Sequence, residues 1–355
     1  MMGKKYSVRR RIRLLMLFFA ATVLTVSVQT GCGSGKSPVH GTDPQCWAFH
    51  NYGQRVRGVS GIKGVDIGPV DLSGGSLKAT PVTVGVVDTG IDYKRSPEAL
   101  NLRINNRDPI DGKDNDKNHL TDDRYGWDFY HNRNTIFQDQ LHDYHGTYIA
   151  NEIAKVYPGV QILSCKFLQG TTGDVRDAVK AIRYAVSRGA SVINCSWSFD
   201  EEDRELYNVI KKNKNVLFVC AAGNSRIDLD REKTFPAGFD LDNVISVAAM
   251  NNRAEIYDCS GYGHRVHLAA PGENIRITLS AKDKTFVSGT SVSAAYVSAA
   301  AAILKSCDKG LSPAEIRALL MEGSKKYDSL TTKCGAGGCL NIRGALEILK
   351  SQRGG

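Results

Sequence analysis

Short apolar runs recur along the chain, separated by stretches that mix polar and apolar positions periodically. The runs VTVGVVD (82–88), VQILSCKFL (160–168), SVINCSW (191–197), NVLFVCAAG (215–223) and NVISVAAM (243–250) are rich in β-branched residues. A strand that is apolar at nearly every position is covered on both faces. Residues 174–189 instead place Val175, Ala178, Val179, Ile182, Ala185 and Val186 on one helical face and stop at Gly189. Residues 203–213, LSPAEIRALLMEGS and NIRGALEILKSQ read as further helices. This alternation predicts an α/β fold with a mainly parallel central sheet and helices on both faces. Chemistry in such sheets gathers at the carboxyl ends of the strands. Asp88, Asn194 and the segment AAGN (221–224) stand at those ends.

The first 31 residues follow a different pattern. Six cations between Lys4 and Arg13 precede an uncharged apolar run of about 15 residues, LLMLFFAATVLTVSV. This is the layout of an export signal and is shorter than a spanning helix. VQTGC then places Gly31 directly before Cys32, as in bacterial lipoprotein signals, although Gln29 stands where those signals carry an aliphatic residue. The expectation is a signal peptide over 1–31, lipidation of Cys32, a polar tether over 32–45 and one domain over 46–355. The protein is then exported and held at a bacterial membrane surface, with simple secretion, or retention of the leader as a short anchor, as the alternatives. The formal charge is +9, but six of those charges lie in the leader, and the remaining +3 gives no footprint for nucleic acid. Of nine cysteines, Cys165, Cys195 and Cys220 lie in apolar strands and read as buried thiols, while Cys334 and Cys339 in CGAGGC are placed to bridge.

Three residues in apolar or glycine-rich settings carry candidate chemistry. Asp88 ends an apolar strand, where a carboxylate needs a partner. It lies in Asp-Thr-Gly, but no second such tripeptide exists to form an aspartic dyad. His145 precedes a helical pattern, and a helix N-terminus disfavours the imidazolium, leaving a base. Ser291 follows Gly289-Thr290 at the entrance of an alanine-rich helix, at the positive end of its dipole. Separately, Asp114, Asp116 and Asn118 alternate before Asp122 and Asp123. Such oxygen ligands, with a carbonyl near Leu120, suit Ca²⁺ as a structural ion.

Together the motifs resemble those of the subtilisin-like serine proteases. VVDTGID (86–92), HGTYIAN (145–151) and SGTSVSAAYVSAA (288–300) match the three catalytic boxes in order, and CAAGN (220–224) matches the oxyanion box. The resemblance spans about Pro44 to Leu349 and implies a subtilisin-like three-layer sandwich. It implies that Ser291 is the nucleophile, His145 the base and Asp88 its orienting partner. Asn224 and the backbone N–H of Ser291 then bind the oxyanion. Ser196, Trp197 and Ser198 fall on the family's substrate-edge strand. The implied activity is that of an exported, monomeric serine endopeptidase acting on protein or peptide, with no catalytic cofactor. The alternative is a catalytically silent relative that binds peptides or regulates a partner. The chain departs from the family at Tyr148, where many members carry a second histidine, and at Val292 to Tyr296, where many carry Met-Ala-x-Pro-His. Trp197-Ser198 also departs, which changes the substrate fit. About 56 residues separate Cys32 from Asp88, too few for a folding propeptide, so folding without one is expected.

Overall fold

The computed structural model describes residues 45–70, 80–94, 101–278 and 284–354. The leader, Cys32 and the tether up to residue 44 lie outside the described residues. Nine strands form the main sheet: β1 (Val82–Asp88), β2 (Gly126–Asp128), β3 (Val160–Lys166), β4 (Val192–Cys195), β5 (Leu217–Ala221), β6 (Val244–Met250), β7 (Leu268–Pro271), β8 (Lys325–Lys326) and β9 (Gly338–Cys339). Their spatial order is β8-β9-β7-β6-β5-β4-β1-β3-β2. Every neighbouring pair is parallel except β8 with β9 at one edge. The first strand of the sheet is thus internal, and its register sets Asp88 beside Lys166 of β3 and Val86 beside Asn194 of β4.

Helices cover both faces, giving the three-layer α/β sandwich. α1 (Gln140–Val156) and α4 (Thr290–Cys307) pack on one face, with α5 (Pro313–Glu322) and α6 (Ile342–Gln352) behind α4. α2 (Val175–Ser187) and α3 (Arg204–Lys212) take the other. Strand alternation divides the contacts. The Asn194 amide donates to Ser298 of α4 at 3.0 Å. Gly85, beside Ile193, approaches Ala185 of α2, where a Cβ would come within 3.0 Å.

The helix ends follow local chemistry. Asp174 caps α2 and Asp203 caps α3 through their first N–H groups, and Ser312 with Glu315 forms a capping box around Pro313 on α5. α4 has no side-chain cap, and sixteen of its eighteen residues are buried. Alanine allows that enclosure, because only small side chains let a helix approach a sheet closely on several sides at once. No helix among the described residues is long and apolar enough to cross a membrane.

Cys165, Cys195 and Cys220 are buried free thiols, as expected from their strands. The bridge that Cys334 and Cys339 could form is not made: both are free thiols. Cys339 is held in β9, opposite Ala269 and Lys325, and the Cys334 thiol donates instead to the Gly338 carbonyl at 3.4 Å.

Candidate active site

Asp88 ends β1 and is 1% exposed. Its Oδ1 lies 2.7 Å from His145 Nδ1 and accepts the Thr89 N–H at 2.7 Å. His145 reaches it from α1. The expected placement at the helix N-terminus is not met, because Asp139 caps α1 upstream and the helix begins at Gln140. His145 stands in the second turn, so packing and Asp88, rather than the helix dipole, set its environment.

Two glycines allow the strand turn and the helix to meet. Gly90 has φ +114°, and a Cβ there would lie 2.0 Å from the Ile136 carbonyl oxygen. A Cβ on Gly146 would lie 2.4 Å from the Gly90 carbonyl oxygen and 3.2 Å from Asp88 Cβ. The contact is completed by Gly146 N–H donating to Thr89 Oγ1 at 2.9 Å and Asp92 N–H donating to Thr147 Oγ1 at 3.0 Å.

The other imidazole nitrogen, His145 Nε2, is buried and has no hydrogen-bond partner among the described residues. The Ser291 hydroxyl, in the first turn of α4, donates to the Ser196 carbonyl at 3.1 Å. Ser196 Oγ in turn lies 2.9 Å from both the Ser291 carbonyl and Asn194 Oδ1. Asp88 and His145 are therefore joined directly, while the Ser291 hydroxyl points at the neighbouring strand end.

Asn224 follows β5 and faces the same turn. Its Oδ1 accepts from Thr290 N–H at 2.8 Å and from Thr290 Oγ1 at 3.0 Å. Those bonds assign the amide orientation and leave Nδ2 without a partner among the described residues. A Cβ on Gly289 would lie 3.2 Å from Nδ2, so glycine there keeps the space before the amide open.

The three residues of the candidate substrate edge bury their side chains. Ser196 and Trp197 turn their side chains inward. Trp197 is 2% exposed, donates Nε1–H to the Val87 carbonyl at 2.8 Å, and packs edge-on against Phe167 and Phe199. Ser198 is buried beside Gly223. The chain leaves β4 at Cys195, and the bond to the Val87 carbonyl holds the indole in the core, so this segment offers a partner its backbone, not these side chains.

The two departures with tyrosine are also buried. Tyr148 packs edge-on against His145, with ring centroids 4.9 Å apart, and burial pushes its phenol far up. Tyr296 donates to Glu152 Oε2 at 3.0 Å, tying α4 to α1, and Lys155 pairs with the same carboxylate. Sequence reading placed no role on Glu152, which is fully buried.

The acidic loop brings two of the predicted residues, Asp116 and Asp123, together with Asp108. Carboxylates of Asp108, Asp116 and Asp123 offer oxygens within 4.8 Å of one another. Asp114 instead accepts the N–H groups of Asn118 and His119, and Asp122 accepts those of Asp111 and Gly112. Asn118 donates to Asp123 Oδ2 at 3.0 Å. These three residues shape the loop, and Asp108, which precedes the alternating motif, joins the cluster. Arg188 reaches Asp116 at 3.0 Å, yet Asp116 Oδ1 stays buried without a partner. Burial pushes the Asp123 carboxyl up, against hydrogen bonds from Tyr184 and Asn105. One guanidinium against three clustered carboxylates leaves a net negative pocket that fits a hard divalent cation.

The subtilase family model matches residues 79–337. The major intracellular serine protease of Bacillus subtilis (strain 168) is 30% identical over 283 residues, covering 74% of this chain and 81% of that protein. Subtilisin-like protease 1 of Plasmodium vivax is 29% identical over 321 residues, covering 80% of this chain and 50% of that protein. This chain thus spans about half the length of the Plasmodium relative. A chain of the subtilase cytotoxin SubAB assembly has the same fold, with a TM-score of 0.62 at 24% identity over 78% of this chain and 91% of that one. A lanthipeptide protease aligns with a TM-score of 0.62 at 21% identity over 77% of this chain and 89% of that one.

Proposed function

Because the chain belongs to the subtilase family, we propose that it is a serine endopeptidase with Asp88, His145 and Ser291 as its triad. The observation that carries this is the buried 2.7 Å contact between Asp88 and His145 Nδ1, with Nε2 left unpartnered. Asp88 holds the proton on Nδ1, so Nε2 carries the lone pair a base needs. The Ser291 hydroxyl swings from the Ser196 carbonyl to Nε2 as a peptide enters, since such contacts commonly tighten only in the substrate complex. Ser291 Oγ attacks the scissile carbonyl carbon while Nε2 takes its proton. The resulting oxyanion accepts hydrogen bonds from Asn224 Nδ2 and the Ser291 N–H, at the positive end of α4. Asp88 stabilises the imidazolium, which then protonates the leaving amine. Water repeats the sequence on the acyl-enzyme and frees Ser291.

The substrate is an extended protein or peptide segment that adds to the backbone of 196–198, where affinity comes from main-chain hydrogen bonds. The hydrolysis uses protein groups alone. Ca²⁺ held by Asp108, Asp116 and Asp123 supplies charge compensation that orders the loop. The enzyme is exported through residues 1–31, tethered by lipid on Cys32, and acts as a monomer at the outer surface of a bacterial cell.

The Ser291–Ser196 hydrogen bond also suits a silent, peptide-binding relative, so the test must read the nucleophile. A fluorophosphonate probe should label the folded protein at one site and leave Ser291→Ala unlabelled. Folded protein that takes no label, yet still binds peptide, refutes the peptidase reading and leaves the binding one.

A further inference from the structure

Lys166 ends β3, and no part of its side chain reaches solvent. Its ammonium has three donors and three acceptors. It forms an ion pair with Asp143, which is also fully buried, and donates to the carbonyls of Thr89 and of Leu168, the latter at 2.9 Å. Each acceptor belongs to a different part of the site. Thr89 follows Asp88 in the strand turn. Asp143 lies in the first turn of α1, two residues before His145, and its second oxygen accepts the Gln138 N–H at 2.5 Å. Leu168 leaves β3 just beyond Phe167, whose N–H donates to the Asp88 carbonyl at 2.9 Å.

Burying a lysine and an aspartate costs several kcal/mol of desolvation per ion, and a well-packed apolar pair is often as stable or more so. Stability alone therefore does not account for a charged pair here. An apolar pair lacks directional bonds, which here reach both segments that bear the Asp88–His145 contact. There is little slack between those segments, because Gly90 and Gly146 touch through their backbones, and Lys166 Cδ lies 3.1 Å from the point a Cβ on Gly90 would occupy.

We infer that Lys166 is a positioning residue that, through Asp143 and the Thr89 carbonyl, fixes the geometry of the Asp88–His145 hydrogen bond. The inference rests on the proposed triad, but one of its measurements needs no catalysis. Three variants test it: Lys166→Met, Asp143→Asn, and the double variant Lys166→Met/Asp143→Leu. In each, the His145 Nδ1–H proton is observed by NMR in the resting protein, Tm is measured, and kcat and KM are taken per active site titrated with fluorophosphonate.

The single variants should shift or broaden the Nδ1–H resonance and lower kcat by about tenfold to a hundredfold, the scale of a misplacement near 1 Å. KM should stay within twofold, because the 196–198 segment is not touched. The double variant should recover much of the lost Tm and recover neither kcat nor the resonance. If Lys166→Met does not fold, Asp143→Asn carries the test, since its amide keeps the volume and an acceptor for the ammonium. An unshifted resonance in the single variants, or a double variant that regains both the resonance and kcat, overturns the inference and leaves a packing role. A wild type that takes no fluorophosphonate but whose resonance responds as described refutes the peptidase reading and leaves the positioning role standing.

Discussion

Gly146→Ala puts the junction between the Asp88 turn and the His145 helix under a direct test. The new Cβ would start 2.4 Å from the Gly90 carbonyl oxygen, and such contacts essentially never fall below 3.0 Å, so the helix must withdraw by about 0.6 Å or the turn must deform. Gly90 cannot yield on its far side, where its own Cα already faces the Ile136 carbonyl. The 2.7 Å contact between Asp88 and His145 then opens to about 3.3 Å, beyond the ~2.7–2.9 Å of charge-assisted hydrogen bonds. Overpacking of this kind costs about 1–3 kcal/mol. At roughly 2–4 °C per kcal/mol for a large domain, Tm should fall by about 2–12 °C. Catalysis should suffer more than stability. A displacement approaching 1 Å costs up to about a hundredfold, so kcat should drop by about tenfold to a hundredfold with little change in KM. The assay is cleavage of a chromogenic peptide, normalised to titrated active sites, beside a calorimetric melt. A variant with kcat within twofold of wild type and an unchanged Tm would mean that the turn and the helix do not meet as described.

Other perturbations separate the remaining claims. His267 is buried beside Ser246, and burial, helped by Arg317, holds its imidazole down to about 4. The unfolded chain binds that proton more readily, so stability present above pH 6.5 is lost as pH falls towards 4, by about 3 kcal/mol in all. Urea melts from pH 7 to 4.5 should show this slope in wild type and less of it in His267→Gln; equal slopes would refute it. EGTA should lower Tm and Ca²⁺ restore it, by about 2.7 kcal/mol at a hundredfold excess over Kd. Asp116→Asn should abolish that response and Asp114→Asn should keep it, whereas a melt indifferent to both reagents removes the ion. Mass spectrometry of the mature protein from membranes should find lipid on Cys32, and an unmodified N-terminus would leave a simply secreted enzyme.

Much of the candidate site was legible because its signals are local. Asp88, Asn224 and Ser291 each sit where a strand ends or a helix begins, and apolar runs mark those points without knowledge of the fold. His145 was legible as a candidate base but not in its setting, since the helix start depends on an upstream cap, Asp139, that competes with several polar neighbours. Trp197 was placed on a substrate edge by the family resemblance, which says nothing of its side chain. Which way its side chain turns follows from the Val87 carbonyl, far away in sequence. Asp108 and Lys166 were illegible for the same reason: a carboxylate outside the alternating motif and a lysine closing an apolar strand gain partners only when distant segments converge.

α4 has a further consequence, in time rather than in space. Its sixteen buried residues pack against β1, more than 200 positions earlier in the chain, as well as against β4, β5, β6 and β7. Contacts of that separation assemble slowly, because loop closure must precede any gain from burial. The reverse path is closed as well. No partial opening at an edge exposes the turn bearing Ser291, since the helix behind it runs through the interior. Heat inactivation should therefore follow a single unfolding rate. Neighbouring molecules would cut α4 only as fast as whole molecules open, while exposed stretches such as 111–122 stay open to attack at any time.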